Sequence, residues 1–137
     1  MKNMNELKKE LVRLSLKIAD YYEINLDFSI ESIKYVEDIL SRISDEYHKN
    51  KNNEGIQGIA LELAAYIIAV IEKNVVIGKW ERNSKEFGKD VFPYNLGAGN
   101  IIFPYIWCQK RIYDGDSENV WMKFKALVLD KNLGNSL

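Results

Sequence analysis

From Asn5 to Tyr22 the apolar residues Leu7, Leu11, Leu14, Ile18 and Tyr21 recur at spacings of four and three, which places them on one stripe of a helix. The pattern predicts a first helix with one buried face. A second stripe, Ile33, Val36, Leu40, Ile43 and Tyr47, follows the apolar Leu26 and Phe28. Ser29, just ahead of it, has the side chain of an N-cap, and Glu31 stands where the positive end of the helix dipole favours an acid. The two helices read as an antiparallel hairpin with facing stripes, joined through Glu23 to Phe28 as a link or a short strand. The polar run HKNKNNEG, residues 48–55, reads as an exposed loop. A third helix is predicted from about Ile56 to Lys73. Between Ile59 and Ile71 its only charged residue is Glu62, so it is expected to be the central, most buried helix.

The pattern changes after Asn74, where ten of the sixteen aromatic residues fall in the last 63 positions. VVIGKWER, VFPYNLG and GNIIF mix β-branched and aromatic residues with Gly, Asn and Pro, which predicts short strands joined by turns. Two short helices follow. Pro104 suits the first helical position and Gly115 a C-terminal cap. Ser117 or Asp116 is expected to cap the last helix, which turns Val120, Trp121, Phe124, Leu127 and Val128 inward. The tail NLGNSL, residues 132–137, is expected to fray. This order predicts an α+β fold with three N-terminal helices, a small antiparallel sheet and two short C-terminal helices, in one domain spanning residues 1–137.

Composition narrows the function. With 19 basic and 20 acidic residues and a net charge of -1, the chain lacks the basic footprint of a nucleic-acid-coating protein. The longest apolar run, Ile56 to Ile71, is broken by Gln57, Gly58 and Glu62 and falls short of the roughly 20 residues of a membrane span. Charges dispersed through MKNMNELKKELVRL do not make a signal peptide, so the cytoplasm is the expected address. The single Cys108 has no partner for an internal disulfide.

Candidate chemistry is sparse. A Cys–His pair would have to bring His48 to Cys108 and lower the thiol pKa; separately, they read as an exposed imidazole and a small packed hydrophobe. No CxxC, HExxH or EF-hand spacing occurs, so no metal, cofactor or catalytic residue is assigned. Gly97 and Gly99 form a GxG, but Ile102 stands where a dinucleotide loop needs its next glycine, and NLGAGN reads as a tight turn. Asp27, Glu31, Glu37, Asp38, Asp45 and Glu46 face only Lys34 and Arg42 in the same stretch. That surface is either a solvated charged face or an acidic dock for a basic partner. Glu62 is either a buried acid with a raised pKa or, preferred here, part of a strip with Tyr66, Ala69 and Lys73 that reaches water. The aromatic concentration suggests a surface patch or cleft built from Trp80, Tyr94, Tyr105 and Trp107, with Lys110 and Arg111 nearby.

Three stretches, LDFSIESI (26–33), LAAYIIAVIEKNVVIGKW (63–80) and FPYIWCQKRIYDGDSENV (103–120), together resemble a group of small uncharacterised bacterial α+β domains. The chain departs from that group in carrying Ile30 after the capping serine, where proline is common. The resemblance carries over no activity residue by residue; it implies an immunity-type or adaptor protein at least as readily as an enzyme. The leading expectation is therefore a non-enzymatic bacterial protein-binding domain. The alternative is a small-molecule binding domain or modest enzyme, with a pocket between the sheet and the third helix lined by Trp80, Tyr94 and Tyr105 and supplied with Glu62 or Lys110. A third class is a homo-oligomer that associates through the first helix.

Overall fold

Helices dominate the computed structural model, which describes residues 3–132. They are α1 (Met4–Tyr21), α2 (Ser32–Asn50), α3 (Ile56–Asn74), α4 (Pro104–Asp114) and α5 (Val120–Phe124). The last continues through a π-helical stretch, Lys125–Leu129, into a final turn, Asp130–Asn132. Between α3 and α4 lie three two-residue strands, β1 (Lys79–Trp80), β2 (Tyr94–Asn95) and β3 (Ile101–Ile102). They form an antiparallel sheet in the order β1-β2-β3, with Trp80 opposite Tyr94 and Tyr94 opposite Ile102. This is the expected α+β arrangement. The C-terminal tail beyond residue 132 lies outside the described residues.

The core follows from the apolar face of α3. Ala60, Leu63 to Ile68, Val70 and Ile71 are all buried, and α3 packs against α1 on one side and α4 on another. The expected facing of α1 and α2 does not occur: α2 instead packs on α4 and α5. The link between them explains why. Phe28 donates its backbone N–H to the Tyr66 hydroxyl at 2.9 Å, and its carbonyl accepts from Asn74 Nδ2 at 2.9 Å. Both partners belong to α3, so the link is fastened there, and the non-glycine left-handed backbone of Phe28 (φ 62°) is held by these bonds. Glu23 to Phe28 forms no strand.

The start of α2 uses Ser29 largely as its sequence suggests. The Ser29 Oγ accepts from the Ser32 N–H at 3.1 Å, leading a turn through Ile30 and Glu31 into the helix. Tyr66 departs from expectation: it is fully buried rather than part of a wet strip. Its hydroxyl hydrogen-bonds Ser32 Oγ at 2.7 Å, and Ser32 Oγ donates to Ser29 O at 2.5 Å.

At the C-terminal end, Pro104 opens α4 and Gly115 closes it with φ 94°, both as predicted. The cap of α5 is Asn119, whose side chain accepts from the Met122 N–H at 3.0 Å. Ser117 and Asp116 instead lie in a 3₁₀ turn just before it, where the Glu118 N–H donates to the Gly115 carbonyl and the Asp116 carboxylate accepts from Arg111. The NLGAGN segment is the β2–β3 turn, with Gly97, Ala98 and Gly99 all at positive φ.

Gly78 marks the tightest approach between the end of α3 and the sheet. A Cβ there would lie 2.1 Å from the Asn95 carbonyl oxygen and 3.0 Å from the Tyr94 ring, and the Gly78 N–H donates to the Tyr94 hydroxyl at 2.7 Å. Backbone cannot yield as a flexible side chain would. Gly78→Ala is expected to destabilise the fold by about 1–3 kcal/mol, read as a lower denaturant midpoint with unchanged slope.

Candidate functional site

The apolar length of α3 carries two carboxylates, Glu62 and Glu72, about 15 Å apart along the helix at 1.5 Å per residue. Each borders a groove. Glu72 lies with Gly78, Trp80 and Arg82 on a polar groove of about 580 Å³, which also meets the first turn of α1. Here the carboxylate is compensated: Lys8 forms an ion pair with it, and the Tyr94 hydroxyl donates to it at 2.9 Å. Burial, partly offset by the Gly78 bond and reinforced by Glu72, pushes the Tyr94 hydroxyl pKa strongly upward.

Glu62 lies on a second groove of about 470 Å³ between the end of α1, α2 and α3. Leu14, Ile18, Ile43 and Ile59 give this groove its apolar lining, with Tyr21, Tyr22, Lys17 and Glu46 also on its walls. A smaller adjoining recess of about 180 Å³ shares Tyr22, Ile43, Glu46 and Ile59 and reaches Glu54. Tyr21 is 78% exposed. The Tyr22 hydroxyl pKa is pushed up to about 12, first by burial and then by the nearby Glu46 carboxylate. Glu62 is half-buried, and burial raises its carboxyl above the ordinary glutamate value. Among the described residues it makes no hydrogen bond or ion pair. Glu62 therefore reaches water at the groove, as the strip reading expects, but among apolar residues that half-bury it.

The expected aromatic surface patch is not assembled. Trp80, Tyr94 and Trp107 are buried, since the sheet and α4 need large rings to fill the layer against α3. Trp80 Nε1 donates to the Phe92 carbonyl at 3.2 Å. Tyr105 is half-buried with its ring 5.3 Å from that of Phe92, and its hydroxyl accepts from Gln109. Lys110 is exposed. The expected pocket between sheet and α3 is also displaced: of its proposed lining, Trp80 alone borders the 580 Å³ groove.

Arg111 is buried rather than superficial, with its side chain 3% exposed. Its Nε donates to both Glu37 oxygens at 3.0 and 2.9 Å, and Nη2 donates to Asp116 at 2.9 Å. Glu37 Oε1 also accepts the Val120 N–H at 2.9 Å. One carboxylate thereby joins α2, α4 and the first turn of α5.

This network also thins the acidic face of α2. Glu37 is spent on Arg111, Asp38 on Arg42 and Glu31 on Lys34, while the hydrogen bonds Asp27 accepts from Ser29 hold its carboxyl pKa low and keep it charged. Asp27, Asp45 and Glu46 remain, with Glu46 on the groove wall. His48 braces α2 to α4, with its ring nitrogens facing the Ser44 and Tyr113 carbonyls at 2.8 and 3.0 Å. Cys108 is buried, and burial drives its thiol pKa far upward, which suppresses thiolate chemistry.

Of the groove residues, the sequence assigns Ile18 and Tyr21 to the buried stripe of the first helix and Glu46 to the acidic face, and it gives Tyr22 and Ile59 no site role; the structure instead leaves Tyr21 exposed on the groove wall. Adjacent tyrosines at the very end of a helix carried a usable signal, because one stripe cannot bury both.

Removing the arginine from the Glu37 network leaves a carboxylate in a buried position. Arg111→Met is expected to cost about 3–5 kcal/mol, measured by urea unfolding, with Asp116→Asn far milder because Asp116 is exposed. Among the described residues no helix is long and apolar enough to cross a membrane, and no three His, Cys, Asp or Glu residues come together as metal ligands. No protein-family model, curated protein or solved structure matches the chain.

Proposed function

We propose that the chain is a non-enzymatic protein-binding domain of immunity or adaptor type, acting in the bacterial cytoplasm, and that the α1–α2–α3 groove receives a basic, apolar-faced segment of its partner. One observation carries this reading: an open apolar groove holds a half-buried carboxylate with no partner among the described residues. Charge supports the choice of occupant. Glu46, Glu54 and Glu62 border the groove and its adjoining recess, whereas Lys17 is the one basic residue on either lining. A basic segment gains from this imbalance both in encounter rate and in register. The exposed Tyr21 ring on the wall suits an interface anchor, offering large contact area with little conformational freedom to lose. The resemblance to small bacterial domains agrees with this role.

The test pairs the wild type with Tyr21→Asp, a change at an exposed position that leaves the core untouched. A partner isolated from native cells and purified is expected to bind the wild type by calorimetry and to lose at least about tenfold in affinity for the variant, the scale of an interface anchor. Equal affinity would remove the groove as the docking site. A concentration-dependent dimer that Tyr21→Asp dissociates would identify a second copy of the chain as occupant and overturn the reading. Recovery of a small metabolite alone would also overturn it.

A further inference from the structure

Resting on the docking reading, we infer that the groove is specific for a single lysine or arginine side chain of the partner, its aliphatic stem lying along Leu14, Ile18 and Ile59 and its cation received by Glu62. The two carboxylates of α3 supply the argument. Both are half-buried and both border a groove. Glu72 has a lysine ammonium and a tyrosine hydroxyl. Glu62 has neither, although it stands on the same helix and is also half-buried. A carboxylate withdrawn from water without a partner is unfavourable, and a charge-assisted bond from an incoming cation removes that cost.

The surrounding groups favour an external cation. Lys17 lines the groove from α1 but is exposed and forms no ion pair with Glu62. On α2, Arg42 is engaged by Asp38, and Glu46 adds a second negative charge to the groove wall. A long side chain that is apolar along its stem and charged at its tip matches apolar walls with one acid among them. The same chemistry disfavours an acidic or purely apolar occupant: the first is repelled by Glu46 and Glu62, and the second leaves Glu62 uncompensated.

The intact protein, labelled with ¹³C at methyl and carboxyl positions, is titrated with n-hexylammonium, a lysine side-chain mimic, and separately with n-hexanol. The ammonium is expected to shift the Leu14, Ile18 and Ile59 methyls and the Glu62 carboxyl saturably, with roughly threefold to fivefold tighter binding than the alcohol, as expected for one partly exposed charge interaction. Glu62→Gln, confirmed folded by its methyl spectrum, is expected to abolish that preference. Equal binding of the two probes to the wild type, or a preference that survives Glu62→Gln, overturns the cation site while leaving an apolar docking groove. No shift with either probe also overturns it. The partner affinity of Tyr21→Asp then reports separately on the docking reading.

Discussion

The burial of α3 is the constraint on which the rest of the structure depends. Ten of its residues are buried, so α1 and α4 must pack against it and the connection into α2 is fastened to it through Tyr66 and Asn74. A helix enclosed in this way has little surface left for polar groups. Its carboxylates, Glu62 and Glu72, emerge at grooves where neighbouring elements fail to close over the helix. Their different treatment is the clearest functional asymmetry in the molecule. One is absorbed by Lys8 and Tyr94 into the scaffold, and the other faces apolar walls with no partner among the described residues.

A second constraint operates on the opposite side of α4. Glu37 receives Arg111 and the Val120 N–H, while Ser44 Oγ donates to the Ile112 carbonyl at 2.8 Å. These bonds turn the buried face of α2 toward α4 and α5. Their consequence for surface chemistry is subtractive, because the acids used within the fold no longer contribute to a long-range acidic field. What remains is Asp27 ahead of α2 and, near the end of α2 that borders the groove, Asp45 and Glu46.

Much of the fold was legible because periodicity reports burial directly. The stripe Ile33 to Tyr47, the turn at Gly97 to Gly99 and the termini at Pro104 and Gly115 all appear where the pattern places them, whereas the buried line of α1 is Leu11, Ser15 and Ala19, which leaves Leu14 and Ile18 half-buried and Tyr21 exposed. Periodicity says which face is buried but not against what, which is why α2 was paired with α1 instead of α4 and α5. The deciding contacts, Glu37 with Arg111 and Phe28 with Tyr66, span 74 and 38 residues and leave no local trace. The site was less legible for a related reason. Composition drew attention to the aromatic residues, but large rings such as Trp80, Tyr94 and Trp107 fill the interior of a small sheet-and-helix layer. Glu62 was conspicuous as a lone acid, yet whether it faces water or apolar walls depends on Leu14, Ile18 and Ile43 from two other helices.

The uncompensated character of Glu62 is tested most directly by ¹³C-detected titration of its carboxyl in the intact protein. Burial disfavours the charged form, so the folded pKa stands above the unfolded value. A group shifted in this sense contributes stability that is fully present below its unfolded pKa and is lost as pH rises through its folded pKa. The predicted result is a Glu62 midpoint above the ordinary glutamate value of about 4.3. A midpoint at or below that value would contradict a desolvated carboxylate without a partner.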